Sequence, residues 1–353
     1  MDGRKTYRIG IIGTGRIARR FVKEALYVDG ARITAVYNPH EGSAEQFARS
    51  ISENKAVYEV VADEAGNWLL TADMELLWAD VDAVYIASPH GTHVEYVMQA
   101  LEHGKHVLCE KPMALTRMDA ERAFALAKEK DLVLMEELKT AYCPGFRKVI
   151  DLVESGVIGA VCHVEATFTK LENPQGREFT DSNVAGSFYE LGSYGLLPVI
   201  KVLGADWDDV RFDSIRNEDG VDVYTEARFL YGRSTSATVV TDGNQNCQKM
   251  ATVAAGLGVK KQGDLIISGT KGYIRVPAPW WKTTEIQVCF ENTSENQIYH
   301  EQFEGDGIRY VLEEMMQRIA ALNCNTCRQN GLMDEESTAM ASVMEQFKTK
   351  DGI

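Results

Sequence analysis

The sequence predicts an α/β domain on a parallel sheet, followed by an α+β domain on an open, mainly antiparallel sheet. Two observations carry this. Up to about residue 138, short apolar β-branched runs alternate with helical stretches of about ten residues. Beyond about residue 140 the texture changes to successive β-branched runs separated by turn signals. A chain of 353 residues, 45% hydrophobic and 25% charged, has the composition of a globular protein and the length of two domains, placed at 1–138 and 139–353.

The run YRIGII at 7–12 is the first strand, followed by Gly13, Gly15 and a helix to about Leu26. ARITAVYN at 31–38 is the second strand, and Ser43 to Ile51 a helix. A helix near 54–65 and a short strand at 68–71 read as an insertion. VDAVYIASP at 81–89 is a strand with a helix at 94–102 after it; KHVLCE follows, then a helix at 119–130 and a strand at 132–135. This alternation implies right-handed βαβ units. In the second domain a helix at 144–155 ends at Gly156, and Gly159 precedes the strand AVCHVEATFT. An apolar helix spans 187–203, and the separators NEDG, YGRS, DGNQ and GTKG divide residues 209–291 into at least six strands. Helices at 308–323 and 334–348 close the chain.

A formal charge of −15 offers no basic face for nucleic acid. No apolar run reaches the roughly 18 residues that span a bilayer, and the polar start runs into a strand with no signal-like apolar segment. Seven cysteines, an odd number, fit reduced thiols in the cytoplasm. Cys324 and Cys327 form a lone C-x-x-C with no second pair to complete a metal site, so no metal is expected.

Four stretches carry chemistry. Gly13-Thr14-Gly15-Arg16-Ile17-Ala18 follows a strand and opens a helix, the context for binding the pyrophosphate of a dinucleotide. At the end of the second strand, where Asp would favour NAD and Arg would favour NADP, stand Asn38 and His40, so either cofactor is open. Ser88-Pro89-His90-Gly91-Thr92-His93 lies at the carboxyl end of a central strand, with His93 either a ligand contact or a helix start. Glu110-Lys111-Pro112 ends the neighbouring strand at the same edge of the sheet. There Lys111 suits acid–base work on an alcohol beside a cationic nicotinamide, with Glu110 as its orienting partner.

Together, Gly10-x-x-Gly13-x-Gly15, Pro89 with His93, Glu110-Lys111-Pro112, Gly156-Val157-Ile158-Gly159 and ISGTKGYIRVP at 267–277 resemble the glucose–fructose oxidoreductase, inositol dehydrogenase and rhizopine catabolism (Gfo/Idh/MocA) family, over nearly the whole chain. The resemblance implies a Rossmann domain, a second domain whose open sheet makes a dimer or tetramer, and an NAD(P)-dependent dehydrogenase. Its small-molecule substrate would be a sugar, polyol or cyclic diol. Glu190-Leu191-Gly192-Ser193-Tyr194 matches the family's second-domain motif, with Glu190 for the usual aspartate and Tyr194 as in the dihydrodiol dehydrogenase and glucose–fructose oxidoreductase branch. The implied catalytic residues are Lys111 and Tyr194. The implied cofactor contacts are Gly13, Thr14, Gly15, Arg16, Ile17, Asn38, His40, Ser88, Pro89, His93, Glu110 and Lys111, and the substrate contacts are Lys111, Lys139, Glu190 and Tyr194.

Two departures stand out. Lys139 and Ala141 replace an aromatic residue and an arginine of the tyrosine-bearing relatives, and the glycine-rich lead-in to the motif is reduced to Val184-Ala185-Gly186. Neither dihydrodiol nor xylose is therefore transferred as substrate. A buried Lys139 would call for an anionic or hydroxyl-rich substrate. Trp280 and Trp281 suit either a sugar-site wall or the core. Two other readings share the fold: a non-catalytic, cofactor-binding regulator, and a glycosidase assisted by tightly held NAD.

Overall fold

Strand β1 (Tyr7–Ile12) is buried at every position except Arg8 and pairs in parallel with β2 (Ala31–Tyr37) and β4 (Ala83–Ile86). Near-continuous apolar strands of this kind belong to a parallel sheet covered on both faces. Adding β3 (Leu69–Thr71), β5 (His106–Glu110) and β6 (Leu134–Glu137) gives six strands in the order β3-β2-β1-β4-β5-β6. The chain leaves β1 toward β2 and β3, then returns to β4 on the other side. That reversal opens a crevice at the carboxyl ends of β1 and β4. The computed structural model describes residues 6–52, 67–180, 184–232, 248–323 and 332–350.

Helices α1 (Arg16–Ala25), α2 (Ser43–Ser52), α3 (Met74–Asp80), α4 (His93–Glu102) and α5 (Arg117–Glu129) connect these strands. Phe21 of α1 stacks on Tyr85 of β4 at 3.8 Å. The helix α3 was not expected; Asp73 caps it by accepting from the Glu75 N–H. The expected helix at 54–65, the DGNQ separator and Cys324/Cys327 lie outside the described residues.

The first compact unit comprises residues 1–114, 118–139 and 304–337, so it differs from the expected contiguous 1–138. The reason is α8 (Ile308–Asn323), which packs on α1, β5 and β6. A fixed ion pair holds this return. Glu24, 1% exposed, accepts from Arg309 Nη2 at 2.9 Å and Nε at 3.1 Å, and from the Gly307 N–H at 3.1 Å. Burial pushes the Glu24 carboxyl up, but the Arg309 and backbone donors together hold it below its ordinary value.

The second unit comprises residues 115–117, 140–303 and 338–353. Its strands are β7 (Val161–Thr169), β8 (Asp209–Arg216), β9 (Asp222–Tyr231), β10 (Lys249–Gly256), β11 (Leu265–Gly269), β12 (Gly272–Val276), β13 (Glu285–Phe290) and β14 (Gln297–His300). They form one sheet in the order β14-β13-β12-β11-β7-β10-β9-β8, antiparallel except for the β7–β10 pair. The sheet thus runs past the expected limit of residue 291. Helix α6 is Pro144–Glu154, α7 is Ser187–Leu203, and α9 (Leu332–Lys350) ends the described chain. Helix α7 lies on β7, β9 and β10 and is buried almost all round. A Cβ on Gly195 would stand 2.5 Å from Val253 Cγ1, so the smallest residue is what brings helix and sheet together.

Candidate active site

The two glycines of the first motif occupy different surroundings. Gly13 has φ +102°, and a Cβ there would lie 2.6 Å from the Ala87 carbonyl oxygen, so the turn after β1 demands glycine. Gly15 precedes α1 in extended backbone, and a Cβ there would meet nothing within 4 Å among the described residues. The space above Gly15 is therefore open at a helix N-terminus, which fits the pyrophosphate of a dinucleotide. Arg16 is exposed beside it and Ile17 is half-buried. Thr14 accepts a hydrogen bond from Asn38 Nδ2 at 2.8 Å, and Asn38 Oδ1 accepts from the His40 N–H at 3.0 Å. Asn38 thus ties the glycine loop to the end of β2. Together with His40, Glu41, Glu45 and Asp73, it lines a groove of about 610 Å³.

At the end of β4, Thr92 donates to Ser88 Oγ at 2.8 Å and Pro89 is exposed. His93 does not meet the expectation of a cofactor contact. It is 0% exposed, with Nδ1 2.8 Å from the Pro112 carbonyl oxygen and Nε2 2.9 Å from that of Ser88. Both ring nitrogens are occupied by the turns after β4 and β5, so His93 fastens those strand ends to each other.

Beside that edge lies a cluster of buried charge. Glu110 ends β5, is 7% exposed, and accepts from the Tyr85 hydroxyl at 2.5 Å. Lys111 follows it, half-buried. On β6, Glu136 and Glu137 are each 2% exposed. The sequence reading placed both beyond the strand, but they are its last residues, and Glu137 is the register partner of Glu110. Glu136 accepts from Ser337 Oγ at 2.5 Å and from the Met113 N–H at 3.0 Å. Burial pushes the Glu110 carboxyl up, offset in part by Lys111, Tyr85 and Lys139; it pushes Glu137 well above its ordinary value, with the Glu110 charge adding to the effect. Lys139 is 6% exposed and interacts electrostatically with Glu110 and Glu137. Its charge is met by the protein's own carboxylates, so burial alone gives no ground for an anionic substrate.

In the second unit, Tyr194 is 9% exposed on α7, one turn after the half-buried Glu190. Its ring meets Phe168 edge-on at 5.0 Å, and Phe168 stacks on Trp281 at 3.5 Å. Trp280 is core: it is 0% exposed and donates from Nε1 to the Thr167 carbonyl oxygen at 2.9 Å. Trp281 belongs to the aromatic stack that borders Tyr194. A Cβ on Gly192 would lie 3.2 Å from the Phe188 ring, which makes that glycine a packing position. Lys111 belongs to the first unit and Tyr194 to the second. Tyr85, Glu136 and Glu137 were missed in the sequence; the available signal was a Glu-Glu pair inside the apolar run 132–138.

A glycine loop, a groove at the end of β2 and a lysine at a neighbouring strand end, all on one edge of a parallel sheet, define a dinucleotide-binding domain. Residues 7–138 match the oxidoreductase family with an NAD-binding Rossmann fold, and residues 146–275 match the GFO/IDH/MocA C-terminal domain. The chain belongs to the Gfo/Idh/MocA family.

Among its relatives is the dTDP-3,4-didehydro-2,6-dideoxy-alpha-D-glucose 3-reductase of Actinomadura kijaniata, 35% identical over 58% of this chain and 58% of its own length. The match to the NADP-dependent scyllo-inositol 2-dehydrogenase of Bacillus subtilis, at 30% identity, likewise spans only 63% of that protein. The D-xylose 1-dehydrogenase (NADP(+)) of Hypocrea jecorina is 28% identical over 99% of this chain and 93% of its own length. A crystal structure of a 3-ketoreductase from Actinomadura kijaniata with NADP and TDP-benzene has the same fold, with a TM-score of 0.75 and 23% identity over 98% of both chains.

Proposed function

We propose that the chain is an NAD(P)-dependent oxidoreductase acting on a secondary alcohol, or the matching ketone, of a sugar, polyol or cyclic diol. The observation that carries this reading is Lys111, set by Glu110 at the same sheet edge as the glycine loop. A bound nicotinamide would supply the carbon that accepts or donates the hydride. The backbone from Gly13 to Ile17 with Arg16 would hold the pyrophosphate, Asn38 and His40 the adenosine ribose, and Ser88, Pro89 and Glu110 the nicotinamide half. Lys111 and Tyr194 are the proposed proton-handling groups at the substrate hydroxyl, with Glu190 beside Tyr194. The names of the sugar and polyol relatives support this class of substrate.

The acidic lining of the groove at the end of β2 supports a preference for NAD. A 2′-phosphate there would face Glu41, Glu45 and Asp73, with His40 as the counterweight. Calorimetric titration should give tighter binding of NADH than of NADPH.

Ile215, Met250, Tyr273 and Ile298 are exposed on the second unit's strands at 54%, 48%, 41% and 60%, which supports self-association through that sheet. Charged neighbours share the surface, as Arg228 lies 3.5 Å from Asp213 and 3.7 Å from Glu226. A cytoplasmic location is supported by Cys109, Cys143, Cys162 and Cys289, which form no disulfide among the described residues.

The decisive experiment follows nicotinamide absorbance across a panel of sugars, polyols and diols, with wild type and Lys111→Ala. Turnover by wild type, reduced at least about a hundredfold in the variant with cofactor affinity kept, is the expected result. Near-normal turnover of the variant would remove Lys111 from the mechanism.

A further inference from the structure

Three buried carboxylates, Glu110, Glu136 and Glu137, share the edge of β5 and β6 with two ammonium groups, Lys111 and Lys139. Two of the three are furnished with donors as anions. Glu110 receives the Tyr85 hydroxyl and the Lys111 backbone N–H, and Glu136 receives Ser337 and the Met113 N–H. Glu137 differs, because its Oε1 is fully buried and has no hydrogen-bond partner among the described residues. A buried carboxylate oxygen without a donor is costly, and a proton on Glu137 removes that cost by turning an acceptor into a donor. The nearest acceptor by register is Glu110, its Cα partner on the adjacent parallel strand, about 5 Å away. One proton also balances the cluster at two negative and two positive charges.

We propose that Glu137 holds a proton and donates it to the Glu110 carboxylate, making Glu137 a positioning residue for Lys111. This rests on Lys111 as the proton-handling group. Burial and the Glu110 charge both act in this direction. The other charged groups on helices packed against these strands are accounted for in part by their own pairs: on α8, Arg309 pairs with Glu24 and Arg318 with Glu314, while Glu313 is also present. Helix α4, packed on β5, brings His93, Glu95 and Glu102, and α9, whose Ser337 donates to Glu136, brings the buried Glu336. The consequence for Lys111 is electrostatic. With Glu137 neutral, Lys111 faces one fewer negative charge than beside an ionised trio.

The test is infrared spectroscopy of the full chain without cofactor at neutral pH, wild type against Glu137→Gln, with glutamate labelled at the side-chain carboxyl carbon. The expected result is a protonated-acid carbonyl band in wild type that shifts with the label and is missing from the variant. A spectrum without a labelled acid band, or a band that survives Glu137→Gln, overturns the proposal. The positioning role is read separately from the pH profile of kcat. Glu137→Leu, which removes the donor to Glu110, should lose about tenfold, the size of one hydrogen bond. Glu137→Gln, whose amide can still donate, should restore most of it, and equal loss in both overturns the role. Should Glu137→Leu fail to fold, the infrared result decides. Should Lys111→Ala retain turnover, the catalytic reading fails while the infrared result stands.

Discussion

Gly13 and Gly15 sit two residues apart in one motif, yet the structure assigns them opposite liabilities, which two substitutions can separate. Gly13→Ala forces a side chain onto φ +102° and places its Cβ 2.6 Å from the Ala87 carbonyl oxygen and 3.0 Å from the Ser88 nitrogen. The left-handed backbone costs about 1–2 kcal/mol. Pushing the end of β4 aside costs about 1–3 kcal/mol more. The variant should therefore lose about 2–5 kcal/mol of stability with no ligand present. Gly15→Val meets open space on ordinary extended backbone, so its stability should stay within about 1 kcal/mol of wild type. Its branched side chain fills the site proposed for pyrophosphate, and losing one charge-assisted hydrogen bond of about 2 kcal/mol weakens cofactor binding about thirtyfold. Urea denaturation without cofactor, followed by calorimetric titration with NADH, measures both. Equal stability losses in the two variants, or unchanged affinity in Gly15→Val, would refute the division of labour.

Glu24→Gln should destabilise the first unit by about 3 kcal/mol, because it removes the buried anion of Arg309 and leaves its guanidinium only the exposed Glu304. The folded Glu24 value is depressed, so its stabilisation is present above the ordinary carboxylate range and is lost as pH falls through the folded value; denaturation midpoints of wild type and variant should converge in acid. For Glu137 the sign is reversed. Its folded value is raised, so stability falls as pH rises from the unfolded value of about 4.3 toward the folded one, and Glu137→Gln should reduce that slope in a pH series of urea melts. Lys139→Met should cost about 3 kcal/mol by denaturation, since it leaves the carboxylates of Glu110 and Glu136 with Lys111 alone of the cluster's two ammonium groups.

The strands that lead to the groove at the end of β2 were legible because buried parallel strands read as apolar runs, and the glycine loop because its chemistry is local. Glu110 and Lys111 were legible for the same reason. Glu136 and Glu137 were not, because two carboxylates ending LMEE look like a loop until the register sets Glu137 beside Glu110. His93 read as either a ligand contact or a helix start, and it is the first residue of α4. Its partners are two carbonyl groups supplied by separate turns, which local sequence does not announce. The return of α8 to the first unit depends on Glu24 meeting Arg309, 285 positions away in the chain.

That return has a consequence for anyone who would cut or splice the gene. The first unit is assembled from three separate stretches of chain, 1–114, 118–139 and 304–337. A fragment that stops at residue 139 would lack α8 and leave exposed the surfaces of α1, β5 and β6 on which it packs. Grafting a foreign second unit onto this first unit therefore calls for an insertion between two retained flanks, since a fusion at a single junction discards the closing helix.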